Sequence, residues 1–274
     1  MPSATTHFAP HARAPLPERL HTSVWRGHQM GRSAERAVPS GFAALDAQLP
    51  GGGWPRRALS ELLLPHPGLG EIRLLAPSLA ATQREGRLVM LFDPPAALSA
   101  WALMQMGLDA EQLLVIDTGT QGIPGVDGRP HEAGVDARLW ALEQALHSGH
   151  VGAVLAWLPP RLRAERLRRL QVAAHAHDGP AFVLREMAVQ QQASPAPLRL
   201  ALRAGGADAL SVQVLKRRGP PLAHQLLLEL PPVLSASATR KARELATQTV
   251  QAASAGVGAT TASPLRAATF VNLA

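Results

Sequence analysis

The chain contains no cysteine, which excludes disulfides and thiolate metal sites and fits a reducing compartment. It has no tyrosine and two lysines, Lys216 and Lys241, so arginine carries nearly all of the positive charge. No run of about 18 apolar residues suits a membrane span. The opening MPSATTHFAPHARAP lacks the apolar segment of a secretory signal. A cytoplasmic protein is therefore expected. There is no internal repeat, no Ser/His/Asp nucleophile context and no convincing pair of carboxylates. His147 with His150, and His175 with His177, lack a carboxylate or cysteine that completes a ligand set. They read as surface histidines, and neither a metal centre nor a catalytic residue is expected.

What is present is apolar and basic. With 274 residues, 46% of them hydrophobic, the chain can build one sizeable core. A formal charge of +7 makes nucleic acid or an acidic partner plausible, although the Ala- and Arg-rich composition equally resembles the codon habit of a GC-rich genome. The organisation reads as three parts. Residues 1–39 form a flexible segment with one short helix, residues 40–231 a folded domain, and residues 232–274 an Ala-, Ser- and Thr-rich disordered tail. In the first part Leu20 and Val24 share a helix face with Trp25 beside it. This helix is either a strut on its own domain or a docking arm for a neighbour.

From Ser40 the pattern alternates strands and helices. SGFAALDAQL spaces Phe42, Leu45 and Leu49 as a helix does, and the Gly-rich turn after Pro50 stops it. Strands are expected over 57–64, 87–92, 112–117, 151–158 and 182–185, with helices between them. Helix residues Leu98, Trp101 and Met104 are expected to share a buried face after Pro94–Pro95. Segments 198–203, 210–216 and 224–230 read as consecutive strands with short connections. This succession describes an α/β fold with a mostly parallel central sheet, helices on both faces and an antiparallel C-terminal extension.

The segment ELLLPHPGLGEIR carries the end of the first strand into the place where such a fold has a phosphate-gripping loop. A Walker A loop needs G-x-x-x-x-G-K-[ST], because backbone N–H groups cradle phosphates, the lysine meets their charge and the hydroxyl holds magnesium. Here Pro65, Gly68 and Gly70 supply the turn, but Glu71 and Ile72 follow it.

Three segments, SGFAALDAQLPGGGWPRRALSEL, TQREGRLVMLFD and ALHSGHVGAVLAWL, together resemble the RecA ATPase core. The resemblance implies a RecA-like fold and places Glu71 at the P-loop lysine and Ile72 at the magnesium-binding hydroxyl. It places Pro95 at the carboxylate that activates water and Trp157 at the Walker B aspartate. The implied nucleotide site is degenerate at every decisive position, so no ATPase activity and no cofactor are expected. A carboxylate about 4 Å from a phosphate would cost about 4 kcal/mol at an effective dielectric near 20.

The motifs VWRG, PGGGWP, VDARLWALEQAL, LRRLQ and QVLKRRGP are similar to those of the ImuA family, SulA-related and RecA-like accessory proteins of bacterial SOS mutagenesis. This resemblance implies a DNA-damage role in translesion synthesis. The implied partners are an ImuB-like Y-family polymerase homologue and an error-prone C-family DNA polymerase, with RecA as a further contact. Kinship with SulA raises a second role, inhibition of cell division through FtsZ.

Two basic elements are candidate surfaces for DNA or a partner. In the helix after Pro160, Ala164, Leu167, Leu170 and Ala174 are expected to face the sheet. Arg161, Arg168 and Arg169 then project outward, Arg163 and Arg166 extend the patch, and Glu165 is their local partner. Direct binding of single-stranded DNA is the reading to set against a solvated helix face. Lys216, Arg217 and Arg218 end a strand and are expected to serve structure or a partner. The polar loop 190–197 reads as an ordinary flexible connection.

Overall fold

Residues 37–118, 132–206, 208–222, 224–233, 240 and 244 are described by the structure, a computed structural model. The expected helix carrying Leu20, Val24 and Trp25, most of the Gly-rich loop after Thr118, and nearly all of the C-terminal tail lie outside the described residues.

The elements follow in the order α1 (Ala43–Asp46), β1 (Leu59–Leu64), α2 (Glu71–Arg84), β2 (Leu88–Phe92), α3 (Ala100–Gln105), β3 (Leu113–Ile116) and α4 (Glu132–His147). Then come β4 (Val151–Trp157), α5 (Ala164–Ala174), β5 (Ala181–Glu186), β6 (Leu198–Gly206), β7 (Ala209–Lys216) and β8 (Leu226–Glu229). The strands form one 8-stranded sheet in the order β3-β2-β4-β5-β1-β6-β7-β8. The pairings from β3 across to β6 are parallel, and β7 and β8 add antiparallel. Every residue of β1 and β4 is buried, which is why these strands read as unbroken apolar runs, covered by helices on both faces. In β7 burial alternates along most of the strand, as suits a sheet extension with one solvated face.

Two apolar clusters sandwich the sheet. One joins Leu45 of α1, Leu74, Leu75 and Leu79 of α2 and Leu103 of α3 to the sheet. The other joins Leu139, Leu142 and Leu146 of α4 to Leu167 and Leu170 of α5. Trp54 and Phe182 meet edge to face with ring centroids 5.1 Å apart, which closes the core beneath the first turn. Val38 is buried and bridges Trp54, so the core begins before Ser40.

Several local expectations need correction. The first helix is one turn, Ala43–Asp46, and the Asp46 carboxylate accepts the Ser40 N–H at 2.8 Å. The first strand starts at Leu59, since Arg57 has φ 53°, a left-handed conformation that breaks a strand. α3 does not start at Pro94–Pro95, and only Leu103 of it is buried. Trp101 and Met104, expected inside, are 61% and 62% exposed. In α5 the exposed Ala164 gives its expected place to Ala173, which is buried. His177 is buried, not on the surface. The loop 190–197 is pinned, because the carbonyls of Gln190 and Ser194 accept from Arg199 and Lys216 and Ala196 is buried.

Candidate functional site

The strand-to-helix connection from Pro65 to Gly70 leaves the carboxyl end of β1, where open α/β sheets place their ligands. Gly68 has φ 81° and Gly70 φ 118°, conformations that glycine adopts without steric cost. A Cβ on Gly70 would also meet the Leu230 side chain at 2.8 Å. Glu71, the first residue of α2, is 2% exposed. Its Oε1 accepts the Gly68 N–H at 2.8 Å and its Oε2 the Gly70 N–H at 3.1 Å. The sequence implied a charge that would repel a phosphate; in the structure the carboxylate also takes the loop donors a phosphate would use. A negative charge at a helix N-terminus is favourable in its own right. Ile72 packs against the core. Two residues further on, Arg73 ties α2 to the end of the sheet, donating to the Asp208 carboxylate at 2.8 Å and to the Pro231 carbonyl at 2.7 Å.

Beside the loop lies a cavity of about 390 Å³ whose walls include Pro65, Pro67, Pro95, Trp157, Arg138 and Arg185. The strand ends around it are tied by a buried network. Asp93, at the end of β2, accepts the Thr118 N–H at 2.7 Å and the Thr118 hydroxyl at 2.9 Å, and pairs with the Arg138 guanidinium. Arg138 also donates to the Trp157 carbonyl at 3.2 Å. Burial pulls the Arg138 guanidinium below its ordinary value, while Asp93 and Asp117 hold it up. Trp157 is buried, and its indole N–H finds no partner among the described residues. The structure therefore brings Pro65, Pro95 and Trp157 to one cavity and sets Gly68, Gly70, Glu71 and Ile72 in the loop beside it.

A second buried charge cluster crosses the sheet centre. Glu61 of β1 holds Arg185 of β5 at 3.0 Å and Arg199 of β6 at 2.6 Å, and all three side chains are almost fully enclosed. The remaining donors go to carbonyls: Arg185 to Pro160, Arg199 to Val189 and Gln190. The Arg185 Nε–H has no partner among the described residues.

The basic helix is less free than its sequence implies. Arg166 pairs with Asp136 at 2.7 Å and Arg169 with Glu143 at 2.8 Å, both on α4. Glu165, the expected partner, makes no ion pair among the described residues, and Arg161, Arg163 and Arg168 are exposed without one. Lys216 donates to the Ser194 carbonyl at 2.8 Å, and Arg217 to the carbonyls of Pro220 and Gln48. These two residues brace loops, although Lys216, like Arg218, is exposed.

Not expected from the sequence were Asp93, Arg138 and the triad of Glu61, Arg185 and Arg199. The signal was present as single charges inside apolar runs: Glu61 in ALSELLL, Arg185 in AFVLRE, Arg199 in PLRLAL. Arg138 likewise precedes Leu142 by one helical turn on the face toward the sheet.

No protein-family model matches the chain. Among curated proteins it is similar to RecA of Thermus thermophilus, 30% identical over 155 residues, which cover 54% of this chain and 45% of that protein. RecA of Acidothermus cellulolyticus is 30% identical over 178 residues, covering 62% of this chain and 51% of that protein. RecA of Enterococcus faecalis is 29% identical over 152 residues, covering 52% and 43%. The chain spans about half the length of the curated relatives it matches. It is a RecA-like protein, distantly related to RecA, and its mostly parallel sheet is the core that relationship leads one to expect. Among the described residues no helix is long and apolar enough to cross a membrane.

Proposed function

We propose that this chain is a non-catalytic RecA-like accessory protein that acts through protein contacts in SOS-induced translesion DNA synthesis, as the resemblance to the ImuA family implies. One observation carries the non-catalytic part. The Glu71 carboxylate fills the two loop N–H groups that a phosphate would need. With no lysine at that position and Trp157 and Pro95 lining the chamber, neither triphosphate charge nor magnesium finds the preorganised ligands that phosphoryl transfer requires. What remains is a rigid scaffold with exposed apolar side chains. Trp101, Met104 and Trp140 are each more than 60% exposed, and tryptophan is enriched where protein interfaces concentrate their binding energy.

The proposed partners are an ImuB-like Y-family polymerase homologue and, with it, an error-prone C-family DNA polymerase. Co-expression and co-purification with the ImuB-like protein test the reading. A stable complex that survives in magnesium without nucleotide is the expected result. Failure to associate, with both components shown to be folded, would sink the proposal.

A further inference from the structure

At one side of the sheet β3 pairs with β2, and no described strand lies beyond it. An open edge offers N–H and C=O groups to another chain, and proteins usually protect such edges with charge, proline or a bulge. β3 is short, but its LLVI has no charge and no proline, and its register with β2 runs without a bulge. The Ile116 carbonyl accepts the Asp93 N–H at 2.8 Å on the β2 side. By the strand period of two, the N–H and C=O of Val115 therefore point outward.

Both faces of this edge are open. Leu113 packs on the cluster that holds Leu103 of α3, and Ile116 on the opposite cluster. Alternation then sets Val115, 46% exposed, on the α3 face and Leu114, 41% exposed, on the other. Of the eight large apolar side chains exposed among the described residues, five belong to β2, α3 and β3, Trp101 and Met104 among them. Such exposure gathers on the elements that build one edge, whereas scattered single residues would carry no meaning. The edge is also pinned and acidic. Gln83 of α2 makes two hydrogen bonds of 2.8 Å with the Asp109 backbone, just before β3. From Leu88 to Thr118 the chain has no Lys, Arg or His, against a formal charge of +7 overall. Asp93 is buried against Arg138, whereas Asp109 and Glu111 are exposed. Arg87, which precedes β2, turns to the carbonyls of Asp178 and Val151.

We propose that β3 takes a further strand from a partner protein, an extended apolar segment flanked by Lys or Arg. Main-chain bonds to Val115 hold the added strand, and side-chain contacts select it. Because Leu114 and Val115 open to opposite faces, the segment is apolar on both of its sides. Trp101 and Met104 are its anchors on the α3 face, and its basic flanks meet Asp109 and Glu111. This deepens the reading of the chain as a protein-binding scaffold, on which it rests, by naming the surface and the chemistry of what it binds.

The test pans a phage-displayed library of random peptides on the full chain. Enriched peptides are synthesised and titrated into the wild type, Val115→Pro, Trp101→Ala, Glu111→Arg and a Val172→Lys control on α5, each checked by thermal melt. Proline is tolerated where an edge N–H faces outward, so Val115→Pro removes the free donor and keeps the β2 ladder; Trp101→Ala alters only an exposed side chain. Enrichment of apolar, β-prone runs with basic flanks is expected. Val115→Pro and Trp101→Ala should each weaken binding about tenfold or more, Glu111→Arg should weaken it less, and the control should match the wild type. No enrichment, enrichment of acidic sequences, or equal affinity for Trp101→Ala and the wild type would overturn the proposal. A dimer of the chain alone in sedimentation, dissolved by Val115→Pro, would overturn it too, by giving the edge to a second copy. Panning uses this chain alone, so its outcome is separate from co-purification with the polymerase homologue.

Discussion

Replacing Glu71 by alanine tests what holds the loop in place. The wild-type carboxylate accepts two backbone N–H groups at 2.8 and 3.1 Å and sits at the first turn of α2. Hydrogen bonds to a charged group contribute about 1.5–3 kcal/mol each when buried, but Gly68 is exposed and water will replace part of what it loses. The helix dipole adds about 0.3–1 kcal/mol. The net loss expected for Glu71→Ala is therefore about 2 kcal/mol, which lowers Tm by about 4–8 °C in a domain of this size. Urea denaturation followed by circular dichroism reads the free energy, and calorimetry the melting temperature. Glu71→Lys should lose more than Glu71→Ala, because it adds a cation where the N–H dipoles converge. Added phosphate should stabilise Glu71→Ala more than the wild type, since the freed N–H groups form an anion site. A Glu71→Ala protein as stable as the wild type, or one indifferent to phosphate, would refute the reasoning.

Three further outcomes are expected. Glu61→Leu leaves Arg185 and Arg199 buried without their shared acid, and should cost about 3–5 kcal/mol; a loss below about 1 kcal/mol by the same denaturation assay would contradict the triad's role. His177 takes a proton at about 4 when folded and at 6.5 when unfolded, so the unfolded chain binds more protons between those values. Its contribution is fully present above about 6.5 and is lost as pH falls toward about 4, by up to about 3 kcal/mol. His177→Gln should flatten that part of the stability–pH curve, and an unchanged slope would count against it. Replacing Arg161, Arg163 and Arg168 together should leave Tm within about 1–2 °C of wild type, because exposed charges without ion pairs contribute little; a large drop in a thermal melt would show a structural role.

The sheet was legible because buried parallel strands are written as unbroken apolar runs, and β1, β4 and β5 carry them plainly. The α/β order and the antiparallel extension followed from element spacing. Elements whose burial depends on distant packing were harder to read. Trp101 and Met104 have the spacing of an apolar helix face, yet α3 is short and turns only Leu103 inward. The loop was legible by its glycines, whereas the roles given to Glu71, Ile72, Pro95 and Trp157 came only from the resemblance to RecA. Where Glu71 points was not legible, since nothing in PHPGLGEI says that the carboxylate folds back onto Gly68 and Gly70. The Asp93–Arg138 pair and the triad around Glu61 join residues from separate strands and helices, so each charge alone looked like an interruption. The pairing of Arg166 and Arg169 with α4 was hidden for the same reason: helical spacing gives neighbours on one helix, not the acids of the next.

Calorimetric titration of ATP with magnesium into the full chain tests most directly whether Glu71 has closed this site to nucleotide. With the loop N–H groups already taken, no saturable binding is expected at micromolar ATP, and wild type and Glu71→Ala should both lack ATP turnover. Micromolar affinity for ATP with magnesium in the wild type, lost on mutating Gly70 or Glu71, would contradict the central claim.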